Sequence, residues 1–531
     1  MYQRLMHWRA GSIRVPMRAL LRASLAVCAV AWCARAVTVT IDKNTTYQSM
    51  YGFGTSWHAF PVRCKQGPFY VTEERGPSFY DSLLTDLGTT VLRTNEDLAG
   101  VAEFKAAADR TGVPFRFVCT IWGPPARMKA NQSLHSIGEN KNYLLPEYYD
   151  DFADWVVDSI VLRAKREFGV DLDAVAPQVE PFFSQPYRSC KYTFEQYRDM
   201  HKEVGRRFAQ RNISAKLIGP TDLTAFPDRS GSYLRAIYDD PEAREYLDVV
   251  STQYSASTTD AYEKMLNYSV PYGKPWWVNE GNSLGGTYGA DSEEVEIELS
   301  DPGMKLARNL WEMMTYGRLT SWMRWWPTSS ASNIHDGGWI IDTVHTPRYF
   351  VAKHFFRFIR PGAVHVRSES SDSDVLTNAF THPVNDQFTV VMTNLAWDER
   401  SVNLSGSGLP DEFDMYQSSE GERTCALKGT VGAEQAITLP PRSVTTLFSS
   451  PGGDPIAVRA LPPRSQTRQA ENVSAPATIL GLDGRVVGRG TVASLRAYAA
   501  HGGTRAAHGV LLCVPDGPGK AGRSAVLRVV R

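Results

Sequence analysis

Between residues 50 and 360, short apolar runs rich in β-branched residues alternate with longer stretches in which apolar positions recur every three or four residues. The first pattern suits strands buried on both faces and the second suits amphipathic helices, so the alternation predicts a parallel sheet wrapped in helices. Eight strands are predicted: Tyr51–Thr55, Thr90–Thr94, Phe115–Ile121, Ala174–Gln178, Lys216–Gly219, Val249–Tyr254, Trp276–Asn279 and Leu319–Trp325. Among the intervening helices, Glu147–Phe168 sets Phe152, Trp155, Val156 and Ile160 on one face, and Thr193–Gln210 opens on a threonine suited to capping it. Eight strand–helix units predict an α/β protein built on a (β/α)8 TIM barrel over 50–360.

On either side of that region the period changes. The run Val37-Thr-Val-Thr-Ile41 is a strand ahead of the barrel, within 37–49. After Pro361-Gly362 the alternation falls to every second residue in Phe388–Asn394, Ser401–Leu404, Ala436–Leu439 and Val444–Phe448. This predicts a β-sandwich side domain over 361–450, with the 37–49 strand completing it. Residues 451–476 are rich in Pro, Gly, Ser, Arg and Gln and read as a linker, followed by a small basic β-module over 477–531.

Charge changes the picture at the two ends. Net charge is zero overall, yet residues 1–36 carry six arginines and no acid, and residues 451–531 carry eleven basic against four acidic groups. The body between them therefore holds 40 basic and 53 acidic groups, a balance that argues against nucleic acid and anionic membranes as partners. The apolar run Ala23–Cys33 followed by Ala34-Arg35-Ala36 reads as a signal peptide over 1–36, too short to span a bilayer, and implies a secreted, extracellular or cell-surface protein. Removing it leaves Cys64, Cys119, Cys190, Cys425 and Cys513. This odd number requires a free thiol or an intermolecular bond, with Cys64–Cys190 one candidate pair. No Cys/His spacing suits a metal, no cofactor motif is present, and His335, His345 and His354 read as surface or packing residues.

In a barrel of this kind the reactive side chains emerge at the C-terminal ends of the strands. Glu180 follows the fourth barrel strand in Val175-Ala-Pro-Gln-Val-Glu-Pro181, and Glu280 follows the seventh in Pro275-Trp-Trp-Val-Asn-Glu280. Two carboxyl groups facing each other across a barrel mouth suit glycosidic cleavage. One protonates the leaving oxygen while the other attacks the anomeric carbon, and about 5–5.5 Å between them gives retention.

The ordered series Tyr51-Gly-Phe-Gly-Thr-Ser-Trp57, Val91-Leu-Arg-Thr94, Trp122-Gly-Pro-Pro-Ala-Arg-Met-Lys129, Ala176-Pro-Gln-Val-Glu-Pro181, Ser189-Cys-Lys-Tyr-Thr193, Trp277-Val-Asn-Glu280 and Tyr349–Gly362 resembles glycoside hydrolase family 30, in the clan A retaining glycosidases. The resemblance covers most of 37–450. It implies Glu180 as acid/base, Glu280 as nucleophile, and a β-linked plant polysaccharide such as xylan or β-1,6-galactan as substrate for an endo-acting enzyme. Two positions depart from the family: Val179 stands where it usually has an Asn that bonds a sugar hydroxyl, and Thr252-Gln-Tyr254 where many relatives show His-x-Tyr. Asn95 and Asn282 are candidate replacements for the missing amide. The alternative reading is a carbohydrate-binding protein derived from such an enzyme, its catalysis impaired by Val179. The 477–531 module loosely resembles the sorting domain of type nine secretion substrates, which would make the secretion machinery a partner; a generic β-appendage fits it nearly as well.

Aromatic rings at strand ends stack on sugar faces, so Trp57, Trp122 and Trp326 are expected to bind substrate along with Arg93, Tyr254 and Asn282. Filling the barrel is the competing role for the tryptophans, and a structural ion pair is the competing role for Arg93. Since Trp325 and Trp326 point to opposite faces, Trp326, nearer the loop, is preferred. The negative charge of Glu280 is expected to raise the proton affinity of Glu180. A monomer is expected.

Overall fold

The computed structural model describes residues 36–57, 76–136, 141–222, 228–253, 259–281, 302–325, 327–329, 338–341, 344–384, 386–419 and 422–451, together with strand segments 476–480, 486–491, 510–515 and 525–528. Strand β1 (Val37–Ser49) precedes the barrel strands β2 (Gly52–Ser56), β3 (Val91–Thr94), β4 (Arg116–Thr120), β5 (Ala174–Ala176), β6 (Lys216–Asp222), β7 (Val249–Gln253), β8 (Trp276–Gly281) and β9 (Leu319–Arg324). Each barrel strand pairs in parallel with the next, and β9 closes on β2, with Gly52 opposite Ser321. All eight predicted strands are present, with ends shifted by a few residues.

Alternation along these strands sorts the side chains into two cores. Leu92, Phe117, Cys119, Val175, Leu217, Val250 and Val278 point outward into the layer shared with the helices. Val91, Val118, Ala174, Ala176, Ile218, Val249, Trp277 and Met323 point inward and close the barrel with an apolar floor. Trp277 is thus barrel filling, tilted against Tyr51 with ring centroids 4.1 Å apart.

The helices follow their sequence signals. Thr193 caps Phe194–Gln210 in a reciprocal box with Gln196. The predicted Glu147–Phe168 helix is helical from Tyr149 to Phe168, with one wider π turn over Val157–Val161, and it buries Phe152, Val156 and Ile160.

The side domain is a nine-stranded sheet in the order Glu422–Gly432, Glu412–Ser419, Ser443–Ser449, Gln387–Asn394, Val375–His382, Val364–Ser370, β1, Arg400–Ser405 and Ile437–Leu439. Pairing is antiparallel except between β1 and Arg400–Ser405. Every strand contributes to one apolar core around Val39, Val390, Met392 and Leu447, so the sheet curls around its own interior. The barrel is fastened to it through helix Pro347–Phe356, whose buried His354 contacts Thr446 Oγ1 at 2.8 Å and Ser418 Oγ at 2.9 Å. His354 is therefore a packing residue, and exposed His345 lies against Tyr349; His335 is outside the described residues.

Segments Pro476–Leu480, Val486–Thr491, Val510–Pro515 and Ala525–Arg528 form a separate four-stranded antiparallel sheet. The signal segment lies outside the described residues except for Ala36. Cys119, Cys190 and Cys425 are buried free thiols; Cys64, the other half of the candidate Cys64–Cys190 pair, lies outside the described residues. Among the described residues, no helix is long and apolar enough to cross a membrane.

Candidate active site

Above the apolar floor the inward positions become polar: Arg93 on β3, Thr120 on β4, Thr221 and Asp222 on β6, Gln253 on β7, and Asn279 and Glu280 on β8. This is the C-terminal end of the barrel, where the loops converge. Two successive residues of β8 face inward because the strand carries a bulge. Thr252 is opposite Val278 but Gln253 is opposite Glu280, so β8 spends one more residue than its neighbour. Asn279 reaches across the interior to Thr120 Oγ1 (3.4 Å) and Thr221 Oγ1 (3.3 Å), and the extra residue turns Glu280 in beside it. Gly281 follows because nothing larger fits: a Cβ there would stand 2.1 Å from the Trp322 ring.

Glu280 is almost wholly buried. Its Oε2 pairs with Arg93 Nη2 at 2.7 Å and accepts a hydrogen bond from Gln253 Nε2 at 2.9 Å. Arg93 is itself held by Thr120 Oγ1 (3.0 Å) and Ser56 Oγ (3.4 Å), and its guanidinium lies 5.5 Å from the Trp325 ring centroid. Of the two roles expected for Arg93, the geometry supplies a buried ion pair with one of the candidate carboxylates.

Glu180 lies just past β5 with φ of 47°, a left-handed conformation that costs a residue with a Cβ roughly 1 kcal/mol or more. The strands on either side hold it there: Val179 N–H donates to Ile121 O (2.8 Å) and Glu180 N–H to Thr221 O (2.9 Å). Its Oε2 is 3.5 Å from Gln185 Nε2. Burial raises its pKa to about 7, against the opposing pull of Arg93, Gln185 and Gln253; Asp222 adds a further upward push. The expectation that Glu280 supplies this shift is thereby corrected: desolvation dominates, the added negative charge is that of Asp222, and Arg93 compensates Glu280.

Trp122, Val179 and Trp325 form one buried cluster joined by Tyr187, with Trp122 ring centroids 5.5 Å from Tyr187 and 5.8 Å from Trp325. The position preceding Glu180 is thus filled by an apolar side chain packed between two indoles. Gln178 ties this wall together, donating to Trp122 O (2.8 Å) and Val179 O (2.7 Å). Buried Glu96 accepts from Trp122 N–H at 3.1 Å and pairs with Arg188 at 2.5 Å.

The structure therefore brings Glu180, Glu280, Arg93 and Trp122 together. Trp57 does not join them. Its half-buried ring packs on Tyr80 and Phe104 and over Gly100, in the helical layer, which corrects its expected place at the mouth. Tyr254, Asn282 and Trp326 lie outside the described residues. Asn95 is buried, with its amide 3.4 Å from Asp97. The sequence analysis does not single out Gln253 and sets Trp325 aside for Trp326, although strict alternation points to both. Val249 and Gln253 share a face while Thr252 turns outward to Trp276 Nε1 (3.0 Å), and Met323 and Trp325 share the inward face of β9 and its extension. Among the described residues, no cluster of three or more His, Cys, Asp or Glu side chains is arranged to hold a metal.

No protein-family model matches the sequence. The fold is similar to that of a glycoside hydrolase family 30 subfamily 8 xylanase from Clostridium acetobutylicum, at 20% identity and a TM-score of 0.60 over 78% of this chain and 99% of that one. An endo-β-1,6-glucanase is similar at 18% identity and a TM-score of 0.60 over 78% of this chain and 94% of its own. A conserved exported protein from Bacteroides fragilis is similar at 15% identity and a TM-score of 0.63, over 78% of this chain and the whole of the other. At these identities the likeness is one of fold: a glycoside hydrolase family 30-like barrel with its side β-domain.

Proposed function

We propose that this protein is a secreted retaining glycoside hydrolase that cleaves a β-linked polysaccharide, with xylan, β-1,6-glucan and β-1,6-galactan the first substrates to try. The observation that carries the reading is the pair of buried carboxyl groups with unlike surroundings, Glu180 with proton affinity raised to about 7 and Glu280 matched by Arg93. In this reading Glu180 protonates the glycosidic oxygen as Glu280 attacks the anomeric carbon. A covalent glycosyl-enzyme forms, and Glu180, now ionised, takes a proton from the water that releases the sugar. Arg93 and Gln253 hold the attacking carboxylate in place, and Trp122 and Trp325 offer aromatic surface to a sugar ring. Residues 1–36 direct export, and residues 477–531 serve as a sorting module.

A 2-deoxy-2-fluoro glycoside that traps a covalent adduct, located to Glu280 by peptide mass spectrometry, tests this directly. Failure of any such reagent to label the protein, together with no release of reducing ends from a polysaccharide panel, would overturn it. The second reading, a binding protein with impaired catalysis, is favoured by one observation: the position before Glu180 is apolar and sealed among Trp122, Trp325 and Tyr187. It predicts retention of polysaccharide without turnover.

A further inference from the structure

We propose that Trp397, on the side β-domain, is a second sugar-binding site that holds one pyranose ring of a neutral β-linked polysaccharide. The polymer class is taken from the hydrolase reading, while the site itself rests on the side domain alone.

The connection between strands Gln387–Asn394 and Arg400–Ser405 carries Trp397 with 73% of its surface exposed, more than any other large hydrophobic residue among those described. An indole so open to water is unfavourable in the unbound protein, and a slack loop would let it fold back onto the sheet. This loop is tied down instead. Asn394 Oδ1 accepts from Ala396 N–H (3.0 Å), and its Nδ2 donates to Asp398 O and to Pro440 O (2.9 Å each), so one buried side chain fixes both flanks of the tryptophan. From the neighbouring turn, Arg442 donates its backbone N–H to Ala396 O (3.0 Å) and Nη1 to Leu395 O (2.9 Å). It does so from a left-handed φ of 48°, and its guanidinium carbon lies 5.0 Å from the indole centroid. The ring is therefore held by a cation while most of it faces water. Such an arrangement is ordered before any ligand arrives, which removes part of the cost of binding.

Size and surroundings select the ligand. One tryptophan offers roughly 150–250 Å², whereas a stable protein interface takes about 800 Å² from each partner. The other exposed apolar side chains of this domain do not extend the patch. Val384 sits in the turn at the opposite end of Gln387–Asn394, and Leu427 is on the edge strand Glu422–Gly432, with two strands between. A single ring bordered by polar groups matches one pyranose, whose C–H face covers an indole and whose hydroxyls meet hydrogen-bonding side chains at the rim. Asp398 and Glu399, both exposed, supply such acceptors. Around the loop Asp372, Asp374, Asp398 and Glu399 outnumber Arg400 and Arg442, and Arg400 is already paired with Asp372 at 2.8 Å. That balance favours a neutral polymer over one bearing carboxylates.

The test runs the full chain in a Glu180→Gln background, so that no polymer is cut, through native gels containing neutral arabinoxylan, β-1,6-glucan or β-1,6-galactan. Retardation in at least one gel is expected. Trp397→Ala weakens the fitted affinity there about tenfold, and Trp397→Tyr, which keeps a stacking ring, recovers a substantial part. With Glu180 restored, Trp397→Ala leaves kcat/KM on a short soluble oligosaccharide within about twofold of the parent and lowers the rate on the insoluble polymer. Equal retardation of Trp397→Ala and its parent in every gel overturns the proposal, as does absence of retardation by the parent. A dimer that Trp397→Ala converts to monomer in sedimentation also overturns it, assigning the ring to a second copy of this chain. Should Trp397→Ala shift the urea midpoint, Trp397→Gln decides by the same retardation. Absence of turnover in the wild type would count against the hydrolase reading, while the gels still decide the role of Trp397.

Discussion

Arg93 and Glu280 form an ion pair of 2.7 Å in which both side chains are shut off from water. Neither charge is tolerable in such a place alone, since desolvating an ion costs several kcal/mol that only a close, well-bonded partner returns. The pair is thus a structural dependency as well as a proposed functional one. Arg93→Ala is expected to lower stability by about 3–5 kcal/mol, and Arg93→Ala with Glu280→Gln to recover a substantial part of it. Urea unfolding of the two single variants and the double variant measures the coupling; simple additivity would contradict it.

The proton of Glu180 sets a pH window. Because burial raises its pKa from 4.5 to about 7, the folded protein holds this proton more tightly than the unfolded chain does. The associated stabilisation is complete below pH 4.5 and is lost as pH climbs to about 7, amounting to about 3 kcal/mol. Glu180→Gln should therefore gain stability relative to wild type on going from pH 4 to pH 8, as read by unfolding at both pH values. The same titration predicts that kcat/KM declines above about pH 7 as the acid form disappears.

Val179→Asn places an amide in the space between Trp122 and Trp325. An amide buried there without partners is expected to cost about 1–3 kcal/mol, measured by urea unfolding, with no gain in polysaccharide turnover. A tenfold gain would instead identify Val179 as the seat of lost catalysis.

Thr193→Ala serves as a contrast. Losing one half of the capping box on helix Phe194–Gln210 should cost about 1 kcal/mol of stability and leave turnover unchanged. A change in rate would mean that this helix positions the mouth more directly than its cap implies.

The barrel was legible because period and length agree in every one of its strands, and a buried parallel strand leaves few other readings for a run such as Val249–Gln253. The two candidate glutamates were legible for a related reason: Glu280 sits at the C-terminal end of its strand and Glu180 just past the end of its own. What sequence did not convey was the bulge in β8, which depends on pairing partners and places Asn279 and Glu280 on the same side. Trp57 was misplaced because ending a barrel strand says where a backbone stops, and the ring then followed the space left by Gly100. Gln253 was passed over in favour of its neighbour Tyr254, although alternation from Val249 selects the glutamine. Burial as the chief cause of the Glu180 shift was invisible as well, since desolvation belongs to the assembled wall and not to any one residue.

Strand β1 is an interior member of the side sheet, flanked by Val364–Ser370 and Arg400–Ser405, so the Thr38 amide donates to Ser371 Oγ across 333 positions of sequence. Loop closure on that scale has to wait until the later partners exist. Synthesis of this chain therefore proceeds for most of its duration with an apolar strand awaiting its neighbours, and a fragment ending at residue 360 would leave that strand permanently uncovered. Expression trials that trim the protein to its barrel should yield aggregates, whereas a cut after residue 451 keeps the nine-stranded sheet intact.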